Sequence, residues 1–238
     1  MIGRREQPIM IHLAELRSRL FKVAAAIVIG SIVAFIFRNW IFELLIDPYE
    51  QITGDSKLAF FKPTEAFSLF MRLSLFGGFI LASPIVIYQV WAFVAPALSK
   101  REKRIAIPVV MILVVLFLSG VGFGYWSLQR GLGFLIDFGG DSLDPVIGGS
   151  FYLSFAMRFL LVFGIAFEFP VFLYAAAAMG VVGWRQLAAG RRWAVLLIVT
   201  IGAVVTPSGD PYTLLLLSVP LYVFYEATIW IVRFTLRR

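Results

Sequence analysis

The chain has no cysteine, and only 15% of its 238 residues are charged, whereas about a quarter are charged in a typical water-soluble domain. Without cysteine it cannot form disulfide-stapled folds, zinc–thiolate sites, iron–sulfur sites or a thiol nucleophile. The few charges accompany 61% hydrophobic residues and a mean hydropathy of +0.91. Most of the chain must therefore lie in lipid, and the soluble, disordered and coiled-coil classes are excluded.

The sequence also lacks the motifs of common enzyme and nucleotide-binding sites. It has one histidine, His12, and contains no H-E-x-x-H metal motif, no Gly-Lys phosphate loop and no G-x-S-x-G nucleophile motif. Glycines at 120, 122 and 124 superficially match a dinucleotide-binding loop, but no strand precedes them. Gly120 and Gly124 instead have the spacing of a helix-packing face of small residues. We therefore expect no enzymatic activity, no catalytic residue, no cofactor and no metal site.

Long apolar stretches are what the chain does contain. A transmembrane helix needs about 20 apolar residues, and transmembrane barrel strands would alternate in polarity over about ten. Six candidate stretches lie roughly at 20–40, 66–97, 105–128, 151–179, 193–206 and 212–232. Prolines interrupt four of them, at Pro84, Pro108, Pro170 and Pro220. The sequence predicts an all-α integral membrane protein with one domain over 1–238, a bent bundle of six transmembrane helices with a concave face.

The distribution of charge predicts which side of the membrane each loop faces, because basic residues are retained on the cytoplasmic side. If the N-terminus is inside, 15 of the 21 Lys and Arg fall in cytoplasmic segments, with only three acids, Glu6, Glu15 and Glu102. These segments are 1–22, 98–104, 180–193 and 233–238. We expect both termini to be cytoplasmic, and we attribute the net charge of +7 to this topology and not to nucleic-acid binding.

The segment at roughly 8–20 predicts an amphipathic helix at the cytoplasmic interface. Leu13, Leu16 and Leu20 form an apolar stripe, whereas Glu15 and Arg19 lie on the other side. Glu15 and Arg19 are four residues apart, a spacing that allows an ion pair worth about 0.3–0.5 kcal/mol on an exposed helix. On this segment alone, Glu15 needs no role beyond that pair.

Two isolated carboxylates on a cationic face permit a second interpretation. Glu102 lies alone among the basic residues of 100–104, and Glu15 lies in the other basic segment. Each carboxylate presents two oxygens that match a guanidinium group bidentately. The face can hold a ligand that presents arginines at a fixed spacing, or the carboxylates can simply neutralise their own neighbours. Residue chemistry alone leaves both interpretations open.

Glu168 lies well inside the fourth apolar stretch, two residues before Pro170. An ionisable residue there is costly and nearly always faces protein or water, which indicates a function or a partner contact. The proline is expected to bend the helix. An alternative is a small proton-coupled secondary transporter or channel that uses Glu168. Such transporters usually have internal repeat symmetry, which this sequence does not display.

Three sequence blocks, in this order along the chain, are similar to blocks of a known protein family. They are 12–20 (HLAELRSRL), 83–98 (SPIVIYQVWAFVAPAL) leading to Glu102, and 163–170 (FGIAFEFP). With these blocks nearly the whole chain resembles TatC, the multispanning core and receptor subunit of the twin-arginine protein translocase. The resemblance implies a multi-pass protein of the bacterial plasma (inner) membrane that binds the twin-arginine signal peptides of folded precursors and exports them without hydrolysing ATP.

Carried over position by position, the resemblance assigns a signal-peptide site. Glu15 and Glu102 would receive the arginine pair, and Leu13, Arg17 and Phe93 would complete or shape the same site. Since a cation cannot bind an arginine ligand directly, Arg17 would orient a carboxylate or a ligand carbonyl group.

The resemblance also implies partners, namely single-span subunits of the TatA and TatB type, in contact with Glu168, with several copies in the complex and lipid around it. One stretch departs from the family pattern of Thr-Pro-Pro-Asp followed by Ser-Gln. This chain reads TPSGD at 206–210 and has Thr213-Leu214 where the polar pair would fall. Thr206 and Thr213 are therefore the candidates for the remaining polar contact with partners.

Overall fold

The computed structural model describes residues 6–54, 58–94, 106–138, 147–205 and 210–236. In these ranges the chain is helical, apart from turns and one parallel bridge between Ala59 and Gly148. The helices are α1 (Glu6–Ile36), α2 (Arg38–Thr53), α3 (Glu65–Val94), α4 (Ala106–Phe138), α5 (Gly149–Ala166), α6 (Phe169–Ala178), α7 (Trp184–Ala189), α8 (Arg191–Val205) and α9 (Pro211–Leu236). The predicted all-α class is confirmed for this part of the chain.

Five helical segments within the described residues are long and apolar enough to cross a membrane. They are Leu13–Ile36, Glu65–Phe93, Ile107–Phe138, Gly149–Ala178 and Pro211–Leu236. The fifth predicted stretch forms α8, which has 15 residues. Helix α8 therefore rises about 22 Å, which is short of a hydrocarbon core of about 30 Å. Length and composition support five of the six expected spans, and the sixth stays a prediction.

Two helices differ from the sequence expectation at their ends. Helix α1 is continuous over 31 residues, so the amphipathic segment expected at roughly 8–20 is the first part of the first span and not a separate helix. Helix α4 continues beyond the end of the predicted stretch at 128 to Phe138, and so includes Arg130. The Arg130 guanidinium lies 3.8 Å from the centroid of the Trp126 ring. Stacking on an aromatic ring lets a cation remain on the helix.

Helix α2 was not expected at all. It has 16 residues, and all but its first three lie between the first two predicted stretches. Its buried face contains Ile41, Leu45 and Tyr49, which are spaced four residues apart as an amphipathic helix requires. The polar residues on its other face interrupt the apolar run, and this hides the helix from a search for long spans.

The chain divides into two compact units, and the single domain expected over 1–238 stays a prediction. The first comprises Met1–Phe42 and Phe70–Val114, and the second comprises Glu43–Leu69 and Val115–Arg238. In the first unit α1 and α3 make backbone contact, since a Cβ on Gly30 would lie 2.6 Å from the carbonyl oxygen of Gly78. Glycine permits this approach because it has no side chain. The contact brings the two helices close enough for their polar side chains to meet elsewhere along their length.

In the second unit α4 packs against α5 through its glycines. A Cβ on Gly120 would lie 2.6 Å from the carbonyl oxygen of Phe163, and one on Gly124 would lie 2.9 Å from the Cβ of Phe163. The predicted packing face of Gly120 and Gly124 is therefore confirmed. On another side of this unit, α9 packs against α6, α7 and α8.

The fourth predicted span is broken in its middle. Helix α5 ends at Ala166 and α6 begins at Phe169, with Pro170 in the first turn of α6. Proline has no N–H to donate and is tolerated only early in a helix, which explains the new start. The helix is thus interrupted just before Pro170, and Glu168 lies at the junction, while the bend expected there stays a prediction.

Candidate functional site

Glu15 in α1 is linked to α3 through Arg19. The Arg19 guanidinium donates to Glu15 Oε1 from Nε at 3.1 Å and from Nη2 at 2.6 Å, and its Nη1 donates to Gln89 Oε1 at 3.2 Å. The Glu15 side chain is 35% exposed and the Arg19 side chain 22%. The expected Glu15–Arg19 pair is therefore present. In addition, α3 restrains the arginine that holds the carboxylate.

Phe93 lies one helical turn after Gln89 in α3 and is half-buried. Residues four apart share one side of a helix. The contact from Arg19 to Gln89 also shows that α1 and α3 run antiparallel, because the Gly30–Gly78 contact pairs a later residue of α1 with an earlier residue of α3. Glu15 and Phe93 therefore lie at the same end of the first unit. Glu102 lies outside the described residues.

Leu13 and Arg17 lie on a different face of α1 from Glu15. Together with Phe21 they line a shallow recess on the helix surface, and the Arg17 guanidinium lies 5.7 Å from the centroid of the Phe21 ring. Two residues of an α-helix are separated by about 200° around its axis, so positions 13 and 17 are nearly opposite position 15. The structure does not bring Leu13, Arg17 and Glu15 to one face, and Arg19 is the residue seen to orient the Glu15 carboxylate.

Glu168 is buried at the junction of α5 and α6. The residue is only 7% exposed, and neither carboxyl oxygen has a hydrogen-bond partner among the described residues. The adjacent Phe167 ring packs against Phe123 at 5.6 Å and edge-on against Phe224 at 4.8 Å. Burying a polar group without a partner is costly. The chain itself encloses this carboxyl group, so a partner helix could reach it only after neighbouring side chains move.

Thr213 is held by Asp210, the residue that caps the start of its helix. Its backbone N–H donates to Asp210 Oδ1 at 2.8 Å, and its hydroxyl donates to Asp210 Oδ2 at 2.5 Å. This is the arrangement of an aspartate N-cap, and Thr213 is 1% exposed. About 16 Å of helix rise separates Thr213 from Phe224, which contacts the residue before Glu168. The structure therefore does not bring Thr213 and Glu168 together, and Thr206 lies outside the described residues.

The structure adds polar contacts that the sequence did not predict. Besides Gln89, Asp47 of α2 accepts a hydrogen bond from the Tyr125 hydroxyl of α4 at 3.2 Å. Arg191 at the start of α8 donates to both carboxylate oxygens of Glu226 in α9, at 2.5 and 2.9 Å. Hydrogen-bonded residues that lie far apart in the sequence produce no periodic pattern. The only sign of such a contact in the sequence was a polar residue inside or beside an apolar stretch. Among the described residues, no cluster of three or more His, Cys, Asp or Glu could hold a metal ion.

Comparison with protein families gives one match that covers most of the chain. Residues 11–220 match the family described as Sec-independent protein translocase protein (TatC). A protein of that name from Carboxydothermus hydrogenoformans is 36% identical over 224 residues, covering 94% of this chain and 91% of the relative. Another from Aquifex aeolicus is 37% identical over 234 residues, covering 97% of each chain. The matched region contains Glu15, Phe93 and Glu168.

Solved structures give the same result. A crystal structure of twin arginine translocase receptor TatC in DDM has a TM-score of 0.83 and 37% identity, covering 93% of this chain and 99% of that chain. A second crystal structure of the same receptor has a TM-score of 0.81 and also 37% identity.

Proposed function

Because this chain belongs to the TatC family of Sec-independent protein translocase proteins, we propose that it recognises twin-arginine signal peptides through Glu15 and Glu102. It is a membrane-embedded, non-enzymatic component of a protein translocase. In this proposal its ligands are the signal peptides of precursors that cross the membrane already folded. Recognition uses charge and geometry and requires no ATP hydrolysis.

The observation that carries the proposal is the guanidinium group already bound to Glu15. Arg19 donates two hydrogen bonds to one oxygen of this carboxylate and is restrained by Gln89. A carboxylate offers about four acceptor positions, so an arginine of a ligand can join or displace Arg19 there. A second carboxylate at Glu102 would receive the neighbouring arginine of the ligand. Two acceptors at a fixed spacing favour a paired motif over a single arginine.

Three further residues would shape the surface around this pair. Phe93 lies at the same end of the first unit as Glu15, where an apolar side chain can contact the part of the signal peptide that follows its arginines. Leu13 and Arg17 line the recess on the other side of α1. We assign them to the segments that flank the arginine pair, and Arg17 there can donate to a carbonyl group of the ligand.

We further propose that the chain crosses the bacterial plasma membrane six times, with both termini in the cytoplasm. The distribution of Lys and Arg supports this orientation. In this proposal α8 is the remaining span, although it is short. Arg191, the first residue of α8, donates hydrogen bonds to Glu226 of α9. A bilayer can thin locally around a short helix at modest cost.

For Glu168 we propose a contact with single-span partner subunits of the TatA or TatB type. The buried carboxyl group has no hydrogen-bond partner among the described residues, and a polar group on a partner helix would supply one. Several copies of each subunit would assemble in this way. Thr206 and Thr213 are proposed as secondary contacts, and Thr213 would first have to release its hydroxyl group from Asp210.

The test of signal-peptide recognition uses Glu15→Gln and Glu102→Gln in the purified full chain. Each substitution removes a charge and leaves the shape of the side chain nearly unchanged. We expect each to weaken the binding of a labelled twin-arginine peptide by about 1.5–3 kcal/mol, the range for hydrogen bonds to charged groups, which is roughly tenfold or more. Affinity is measured at low salt, because screening reduces the electrostatic contribution.

Glu6→Gln is the matched control, since it makes the same change of charge in the same predicted cytoplasmic segment. It should bind the peptide as the unmodified chain does. Circular dichroism checks that all three variants keep their helix content. Unchanged affinity in both Glu15→Gln and Glu102→Gln would show that these carboxylates do not receive the arginine pair.

A further inference from the structure

One tryptophan ring in the second unit has two arginines around it. The Arg233 guanidinium carbon lies 5.0 Å from the centroid of the Trp184 ring, and that of Arg185 lies 5.5 Å from the same ring. Arg233 also lies 5.5 Å from the centroid of Trp230. These distances are within the range of cation–π contacts. We name Trp184, Arg185, Trp230 and Arg233 the arginine–tryptophan cluster.

No carboxylate neutralises this cluster within the described part of the chain. Glu226 is the one acidic residue in α7, α8 and α9, and Arg191 occupies both of its oxygens. Arg185 and Arg233 are therefore two like charges held around one ring. Like charges repel each other, and an anion bound near this ring would offset that repulsion.

The cluster lies at the end of a candidate membrane span. Arg233 is in the last turn of α9, and the candidate span in this helix is Pro211–Leu236. Trp230 is 49% exposed and Phe234 is 69% exposed, so apolar surface adjoins the two arginines. Arginine and tryptophan at the end of a span mark the level of the lipid headgroups. An anion at this level, next to exposed apolar side chains, is most simply the phosphate of a lipid.

We propose that the arginine–tryptophan cluster binds the phosphodiester headgroup of an anionic phospholipid. The planar guanidinium groups of Arg185 and Arg233 donate to the phosphate oxygens, and the Trp184 ring holds both groups in place. Trp230 and Phe234 contact the start of the acyl chains. Basic pockets at the ends of transmembrane helices bind such headgroups. A zwitterionic lipid carries its own amine beside the phosphate and therefore binds more weakly.

The experiment measures lipid binding to the delipidated full chain by native mass spectrometry. Phosphatidylglycerol is compared with phosphatidylcholine, and inorganic phosphate is added as a competitor. The unmodified chain should retain phosphatidylglycerol in preference to phosphatidylcholine. In Arg185→Gln/Arg233→Gln the affinity for phosphatidylglycerol should fall roughly 30-fold, which is about 1 kcal/mol for each basic residue near an anionic surface.

Arg130→Gln/Arg192→Gln is the matched control. It also removes two arginines that lie over tryptophans, but each of these has a ring of its own, Trp126 and Trp193. Its affinity should fall by about fivefold at most, the effect of one nearby charge. A second variant, Arg185→Lys/Arg233→Lys, keeps both charges and loses the planar groups, and it should bind clearly more weakly than the unmodified chain.

Four results would overturn the proposal. The unmodified chain could bind both lipids equally, or the two glutamine double variants could lose the same affinity. Full affinity in the lysine variant would attribute binding to diffuse surface charge. Displacement of the lipid by an equal concentration of inorganic phosphate would identify a site for a free anion and not for a lipid.

Discussion

At the scale of single residues, Glu168 is the most unusual side chain in the described part of the molecule. Its two carboxyl oxygens are buried without a hydrogen-bond partner, next to the aromatic contacts of Phe167. An unsatisfied buried polar group costs about 1–3 kcal/mol. A chain can carry this cost when a partner supplies the missing contact, which is the role proposed above for the single-span subunits.

Glu168→Gln and Glu168→Ala separate a contact role from a proton-carrying role. Gln keeps a donor and an acceptor, so partner assembly and most transport should be retained. Ala removes both, and recruitment of a single-span partner should weaken by about 0.6–2 kcal/mol, the usual value of a polar contact between membrane helices. Co-purification of the partner measures recruitment. Signal-peptide affinity, measured on the same samples, should stay unchanged in both variants.

A different result would favour the alternative function. If Gln abolished transport as completely as Ala while assembly stayed normal, Glu168 would have to gain and lose a proton. The transporter interpretation of this residue would then replace the partner contact.

At the scale of helices, contacts in both units depend on glycines that let backbones approach. Gly30 meets Gly78 in the first unit, and Gly120 meets the backbone of Phe163 in the second. The α4–α5 contact has a functional consequence, because a Cβ on Gly120 would also lie 2.8 Å from the Cβ of Phe167, the residue before Glu168. The position of Glu168 therefore depends on the absence of a side chain at position 120.

Gly120→Ala should destabilise the chain, whereas Gly122→Ala should not. The added methyl group at 120 has no room, and overpacking of this kind costs about 1–3 kcal/mol. At 122 nothing lies within 4 Å of the added Cβ. Alanine there should be neutral or slightly stabilising, because it favours the helix by about 1 kcal/mol relative to glycine. Thermal unfolding of the purified chain in detergent gives both values. Equal unfolding temperatures would contradict the packing argument.

At the scale of the whole molecule, the proposed six spans are too few to form a passage for folded proteins. Each helix is about 10 Å across, and an opening wide enough for a folded domain would expose polar groups to lipid. In the proposal, the partner subunits must therefore contribute to the passage, and this chain contributes recognition and an assembly site.

This chain alone, reconstituted in vesicles, should not transport a folded protein that carries a twin-arginine signal peptide. The same vesicles should still bind the peptide, which shows that the reconstituted chain is intact. Adding the single-span partners to otherwise identical vesicles should restore transport. Protection of the folded substrate from external protease measures the outcome. Protection without the partners would mean that the chain forms a passage by itself.

The helices could be predicted from the sequence to different degrees. Five of the six predicted apolar stretches form candidate spans, and Pro170 predicts the break beside Glu168. Helix α2 was missed because a single buried face, with Ile41 and Leu45, does not produce a long apolar run. The end of α4 was misplaced because Arg130 resembles a loop residue, although it is held on the helix by Trp126.

Composition alone determined that this chain lies in a membrane, since the free energy of transferring a segment into lipid depends on its own residues. The residues that flank positions 15, 102 and 168 in the sequence were also enough to single out these carboxylates as candidate functional groups. Only the tertiary structure decided what surrounds Glu15 and Glu168, because helix packing sets which distant side chains meet. It linked Arg19 to Gln89, 70 positions away, and it left the Glu168 carboxyl group without a partner among the described residues. No local pattern in the sequence encodes those contacts.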